Sequence, residues 1–242
     1  RLVFVSDSDL KKARELRLAS EAKMSVIKNG IDILALKDRE DKESKGRELG
    51  LSLSQPIVGT VARLHRQKGI IYLLRAAEKI RQAFPDVQIL IAGGGPLRKK
   101  LEDIARRLRL EEFLFFLGER EDALLLLSLL DVFVLPSLWE GLPYVLLEAA
   151  SLSKPIVATD IDGVREVIKD HETGILVPAR NPQKLAEAVI KLLADREYAL
   201  RLAEKAREVI PPAYPLSRMV EETEALYLRL YREKTEARTD QN

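Results

Sequence analysis

Apolar residues fall into two alternating rhythms along this chain. Short runs rich in β-branched and aromatic residues, each bounded by Gly, Pro or charge, predict strands over 57–62, 87–92, 113–117, 132–135, 155–159 and 174–177. Between them the apolar positions take helical spacing. Leu73, Leu74, Ala77 and Ile80 predict a helix over 70–84 that stops at Pro85. Leu101, Ile104, Ala105 and Leu108 predict one over 97–108, and Leu185, Val189, Leu192 and Leu193 one over 182–193. Strands apolar on both faces and joined by helices predict a parallel sheet in a doubly wound α/β fold.

Some segments stand outside that pattern. Residues 1–27 read as a strand and helix of a preceding domain, and 38–50 as a solvated charged helix or linker. Residues 216–233 form a long amphipathic pattern after Pro211, Pro212 and Pro215, so a helix is expected to start there after a break in direction. The polar tail from Lys234 is expected to be disordered. The chain begins at Arg1 rather than Met, and a fragment of a longer protein is expected.

Composition then removes several chemistries. With 40 basic and 38 acidic residues the net charge is +2, too small an excess to neutralise a nucleic-acid backbone. Absence of cysteine excludes disulfides, thiolate catalysis and Cys-ligated zinc. It also fits a cytosolic protein. His65 and His171 are the only histidines, too few for a His-rich metal site. The longest apolar stretch, 124–135, is broken by Ser128 and Asp131 and falls short of the ~20 residues a membrane span needs.

In an open parallel sheet, ligands bind beyond the carboxyl ends of the strands. Four stretches fall there. The first runs from Gly59 to Gly69 and offers Arg63 and Lys68, a bidentate fork and a mobile point charge suited to a pyrophosphate. An ordinary solvated basic loop has the same composition. The second, Gly93-Gly94-Gly95-Pro96, permits close backbone approach to a ligand or simply a tight strand–helix turn. Arg98 stands where the dinucleotide fingerprint wants a third glycine, which weakens a dehydrogenase reading. The third, from Pro136 to Ala149, is the most informative. Pro143 suits the first helical position, so the amides of Tyr144 and Val145 belong to a helix start that attracts phosphate. Glu148 lies amid Val145, Leu146, Leu147 and Ala149 and needs a partner if buried; a ribose diol is one candidate, and a surface position removes the need. The fourth, from Asp160 to Ile168, reads as a ligand-facing loop or an acidic helix cap. His65 reads as a solvated loop residue, and Trp139 as a pocket wall or a core residue.

Taken in order, Arg63-x4-Lys68-Gly69, the Gly93–Pro96 turn and Glu140-x7-Glu148 resemble family 4 of the retaining glycosyltransferases, glycosyl transferases group 1. Supporting stretches run through Val26–Asp32, Phe116–Gly118, Pro155–Ala158 and Thr173–Pro178, so the likeness extends from about Phe4 to about Tyr231. The resemblance implies the Rossmann-like C-terminal half of a two-domain GT-B enzyme: residues 28–210 as the donor domain, 211–233 as a helix crossing back, and 1–27 as the remnant of an N-terminal acceptor domain. It implies a nucleotide-sugar substrate, UDP-, GDP- or ADP-linked, with no metal or cofactor. It implies a glycan, lipid or small-molecule acceptor taken through the other domain, and a peripheral place at the inner membrane face where that acceptor is lipid-linked. By position, Arg63 and Lys68 hold the diphosphate and Glu140 faces the donor sugar; these three are the catalytic candidates. Glu148 takes the ribose, Leu117 edges the base, and Gly94, Gly141, Leu142, Tyr144 and Val145 complete the site. Departures are Lys28 in place of a usual Pro, Asp162 in place of one Gly of a pair, and Ser153 where a Gly is common. If Ser153 adopts positive φ it is strained. The alternative is a non-catalytic sugar-nucleotide-binding subunit working with a separate acceptor-domain partner. A scaffold that had lost its chemistry would not need all of Arg63, Lys68, Glu140 and Glu148.

Overall fold

The computed structural model describes residues 1–32 and 42–239, and it begins with a small unit beside the main sheet. In it β1 (Leu2–Phe4) pairs in parallel with β2 (Met24–Val26), and α1 (Asp7–Glu15) joins them. Ser6 starts α1 by accepting a hydrogen bond from the Asp9 amide. Of the expected charged stretch, residues 38–41 lie outside the described residues; the rest forms α2 (Lys42–Glu48).

The main unit alternates strand and helix: β3 (Ile57–Val61), α3 (Ile70–Ala83), β4 (Gln88–Ala92), α4 (Arg98–Arg107), β5 (Leu114–Gly118), α5 (Ala123–Leu129), β6 (Val132–Leu135), α6 (Tyr144–Ser151), β7 (Ile156–Thr159), α7 (Asp162–Arg165), β8 (Ile175–Val177) and α8 (Pro182–Ala194). Then come α9 (Arg196–Ala213) and α10 (Leu216–Thr239). All six expected strands are present within a residue of their bounds. They form one parallel sheet in the order β5-β4-β3-β6-β7-β8. Counted from β3, that is the dinucleotide-binding order 3-2-1-4-5-6. The chain leaves the centre toward one edge and returns to fill the other, so the carboxyl ends of β3 and β6 flank a topological switch point.

Strand alternation builds two cores. Val58, Ile89, Ile91, Val132 and Val134 face α3, α4 and α8, while Leu90, Phe133, Leu135 and Ile156 face α5, α6 and α9. Both faces are covered, as a parallel sheet requires. α9 ties them together, giving Ala199 and Leu202 to the first core and Ala206 and Ile210 to the second.

Two expectations need correction, and a third, conditional one is met. Pro211 and Pro212 stand inside the last turn of α9, and the break in direction falls at Tyr214–Pro215. Neither proline has an amide to give to the carbonyl four residues back, so the last turn loses those bonds, while the Pro211 carbonyl accepts from the Tyr214 amide at 3.1 Å. The spacing of Ala199, Leu202, Ala203, Ala206 and Ile210 carried the missed helix. Next, the tail expected to be disordered is helical through Thr239, since Lys, Glu, Ala and Arg are good helix formers; residues 240–242 lie outside the described residues. Finally, Ser153 does adopt φ 50°, the left-handed conformation that a glycine would take without strain.

Candidate functional site

Above the switch point two loops lie backbone against backbone. The Leu64 amide donates to the Gly94 carbonyl at 2.7 Å, and the Leu97 amide to the Leu64 carbonyl at 3.0 Å. Contact is so close that a Cβ on Gly93, which has φ 136°, would sit 2.0 Å from the Ala62 carbonyl oxygen. Glycine is therefore required there by both conformation and space. His65 is exposed, and its ring caps the single turn 66–68 by accepting from the Gln67 amide at 3.4 Å. That turn delivers Lys68 to the β6–α6 loop.

There Glu140 is the anchored group. Its side chain is only 6% exposed, and Lys68 Nζ lies 2.6 Å from Oε1. Ser137 Oγ donates to the same oxygen at 2.7 Å, and Gln67 Nε2 to Oε2 at 3.2 Å. The Leu138 amide bonds back to the Gln67 carbonyl at 2.7 Å, so the two loops are laced by main chain and side chain. From beneath, α7 presses on the same place: a Cβ on Gly163 would sit 1.8 Å from the Gly141 carbonyl oxygen. Only glycine lets α7 approach this closely.

Glu148 has the opposite surroundings. It sits on the second turn of α6, half-buried, with no hydrogen bond or ion pair among the described residues. Burial pushes its carboxyl above the usual carboxylate range. The start of α6 is also open. Pro143 is extended (ψ 118°) and precedes the helix rather than opening it, one residue later than expected; no side chain caps the start, so the Tyr144 and Val145 amides are uncapped. The Tyr144 side chain is exposed and its hydroxyl reaches Met219 Sδ at 3.5 Å.

Other expected site residues differ in how far they are available. Arg63 is exposed and carries no ion pair among the described residues. It faces an open cleft of about 580 Å³ shared with Gly93, Gly94, Gly95, Glu119 and Arg120. Leu117 is half-buried at the end of β5. Leu142 is buried and its carbonyl accepts from Asn29 Nδ2 at 2.7 Å, so its side chain is turned away from the rim. Trp139 is 49% exposed, which removes the core-packing reading.

Several participants were not singled out from sequence. Gln67 and Ser137 are bland types in a loop, and nothing in the pattern marks them as holding Glu140. Glu119 and Arg120 follow a strand directly, which the carboxyl-end rule does mark. Arg120 is committed to structure: it grips Asp122 at 2.8 and 2.6 Å and Glu48 at 3.2 Å, holding the Asp122 carboxyl far below the usual range. In the fourth stretch, Glu166 caps α1, accepting from the Asp7 and Ser8 amides at 3.1 and 2.8 Å. Lys12 meets Asp162 at 2.7 Å and holds its carboxyl below the usual range. The small N-terminal unit is thereby fastened to α7, and Val5 and Asp9 lie over Gly141. Among the described residues no cluster of His, Asp or Glu is arranged to hold a metal, and no helix is long and apolar enough to cross a membrane.

A doubly wound sheet with cations, open helix amides and carboxylates gathered at its switch point defines a Rossmann-like domain of the GT-B type. The comparisons agree: glycosyl transferases group 1 matches residues 41–209, and the chain belongs to that family. Alpha-D-kanosaminyltransferase of Streptomyces kanamyceticus is 36% identical over 193 residues, which is 78% of this chain and 50% of that protein. D-inositol 3-phosphate glycosyltransferase of Corynebacterium urealyticum is 32% identical over 216 residues, 85% of this chain and 51% of that protein. The chain thus spans about half the length of these relatives. Among solved structures, Anabaena HepE in complex with UDP-glucose superposes with a TM-score of 0.83 at 24% identity, covering 93% of this chain and 63% of that one, and shows the fold.

Proposed function

We propose that this chain binds a nucleoside-diphosphate sugar at the switch point and supplies the donor domain of a retaining glycosyltransferase. One observation carries the reading: Arg63 and Lys68 follow β3, and Glu140, the uncapped start of α6 and Glu148 follow its neighbour β6, with Lys68 meeting Glu140 between them, the cations and amides suited to a diphosphate and the carboxylates to hydroxyls. Lys68 spends one of its three donors on Glu140, which leaves two for a phosphate oxygen. Arg63 and the Tyr144 and Val145 amides take the rest of the diphosphate. Glu148 accepts from the ribose hydroxyls, and Glu140 presents its carboxylate to the sugar. Leu117, Gly94 and Gly141 line the base and sugar ends.

Transfer breaks the bond between the anomeric carbon and the diphosphate oxygen, and the electron pair leaves on that oxygen. The acceptor oxygen bonds to the same face of the anomeric carbon, and its proton passes to the departing phosphate. Arg63, Lys68 and the helix amides stabilise the charge that develops. The acceptor, a glycan, lipid or small molecule, is held largely by a second, N-terminal domain, of which residues 1–27 are the last part, so this chain alone turns over poorly. The same reading puts the protein in the cytoplasm, at the inner membrane face where the acceptor is lipid-linked.

Because HepE binds UDP-glucose, UDP conjugates come first in the test. Calorimetric titration with UDP, GDP and ADP and their sugar conjugates, with and without magnesium, is expected to show selective binding that does not need the metal. Arg63→Ala and Glu148→Ala should each weaken it by about 1.5–3 kcal/mol. Full affinity in both variants would remove the reading.

A further inference from the structure

A second cavity, of about 430 Å³, lies between α3 and α4, and its lining shares no residue with the Arg63 cleft. Its floor is apolar: Ile71 from α3, Leu97 at the start of α4, and Leu101 and Ile104 from α4. Ile71, Leu97 and Ile104 are only half-buried, so apolar carbon is left facing the opening. Its rim is cationic. Arg66, Lys100 and Arg180 are all exposed, and none has an ion pair among the described residues. No lining residue is acidic.

Some nearby cations are matched, Arg98 with Glu102, Arg106 with Asp103, Lys79 with Glu187 and Arg81 with Glu112, whereas these three share one opening whose lining offers them no carboxylate. Three unmatched cations around one opening make a positive potential that a counter-charge relieves. Exposed apolar floor is relieved only by carbon. A ligand carrying both an acid group and an apolar body answers both, and the volume suits one small molecule rather than a flat contact. Arg180 stands over the opening on a left-handed backbone, with φ 63°.

We infer that this cavity is a second binding site, separate from the switch-point cleft, for a single organic phosphate or carboxylate with an apolar body. The acid group sits between Arg66, Lys100 and Arg180, and the carbon skeleton lies on Ile71, Leu97 and Ile104. Leu138 forms part of the wall, and its amide is bonded to the Gln67 carbonyl, so the occupant touches the loop that holds Glu140.

Anilinonaphthalene sulfonate, an apolar ring system with one anionic group, is the probe. Fluorescence titration of the whole chain should show one probe bound per chain. Lys100→Glu with Arg180→Glu should weaken it by about tenfold or more. The milder pair, Lys100→Gln with Arg180→Gln, should weaken it less while keeping the fold, as judged by an unchanged melting curve. Dodecyl phosphate should displace the probe, and saturating UDP should not. Equal affinity in both variant pairs, or displacement by UDP, overturns the site. Flotation with phosphatidylglycerol vesicles separates the sources of such an anion: retention of the wild type and not of the charge-reversed pair assigns a lipid, and no retention assigns a soluble compound. The UDP arm keeps this result independent of the switch-point reading, since failure of either site leaves the other standing.

Discussion

Glu140 and Glu148 are the same residue type on one loop and helix, and their surroundings are opposite. Glu140 is almost wholly withdrawn from water, yet Lys68, Ser137 and Gln67 give it three donors. Glu148 is half-buried and has none among the described residues, and burial raises its carboxyl. Burying a carboxylate is tolerable when its lone pairs are filled and costly when they are not. The difference teaches that this protein supplies one carboxylate with donors from its own loops and leaves the other without any among the described residues.

The largest expected effect lies on the completed side. Lys68→Leu leaves Glu140 withdrawn from water without its cation and should cost about 2–3 kcal/mol, discounted because Lys68 keeps some contact with solvent. A lower urea midpoint at unchanged slope is the readout. If the midpoint stays put, Glu140 is not held as the distances imply and the contrast with Glu148 collapses.

Arg63→Ala comes next and acts on binding alone. Stability should stay within about 0.5 kcal/mol, while calorimetry should show UDP-glucose affinity falling by about 1.5–3 kcal/mol. A matching loss of stability would mean that Arg63 belongs with Lys68 as a structural cation.

Glu148→Gln sharpens the comparison because stability and binding should move in opposite directions. The ligand-free chain should gain about 1 kcal/mol, roughly 2–4 °C in Tm, and lose donor affinity. The sign follows from the raised carboxyl. The folded state holds the proton more tightly than the unfolded state, so wild type suffers no penalty well below pH 4.5, its ordinary value. The penalty grows as pH rises through the raised folded value and is complete above it. Melting curves of wild type and variant should therefore converge at low pH and separate toward neutrality. A gap that is constant with pH would assign the gain to something other than ionisation.

The smallest effect is away from both carboxylates. Ser153→Gly relieves a left-handed backbone but frees the unfolded chain, so a net gain of about 0.5 kcal/mol is expected by chemical denaturation. Arg63 and Glu148 binding should be untouched, which makes it the control for the other three.

Much of the fold was legible from alternation alone. Runs such as Val132–Leu135 and Ile156–Thr159 are apolar on both faces, and a strand buried on both sides is the element that accepts them. α9 was less legible because its prolines look like a break when read one residue at a time, whereas the apolar spacing of Ala199, Leu202, Ala206 and Ile210 carries the helix up to them and it ends just beyond, at Ala213. For the site, charged residues after apolar strands marked the rim, which made Arg63, Lys68 and Glu140 candidates, and Glu148 stood out as a carboxylate amid apolar helix positions. Gln67 and Ser137 could not be named, because a hydroxyl or an amide acquires its role only from what is placed within about 3 Å of it. The burial of Leu142 was hidden for the same reason: a leucine beside a motif gives no sign of its exposure until its neighbours are placed.

By itself, then, the sequence determined the order of strands and helices, the two-sided burial of the sheet and the residue types at its carboxyl edge. Local hydrophobic periodicity and turn chemistry act over a few residues and are written in the chain directly. Tertiary structure alone decided that Lys68 belongs to Glu140, that Glu148 has no partner among the described residues, that Glu166 fastens α1, and that three cations from the β3–α3 loop, α4 and the β8–α8 region surround an apolar cavity. Each of these depends on groups far apart in the chain meeting at hydrogen-bond or van der Waals distance, and on how much water is excluded where they meet, which no local pattern encodes.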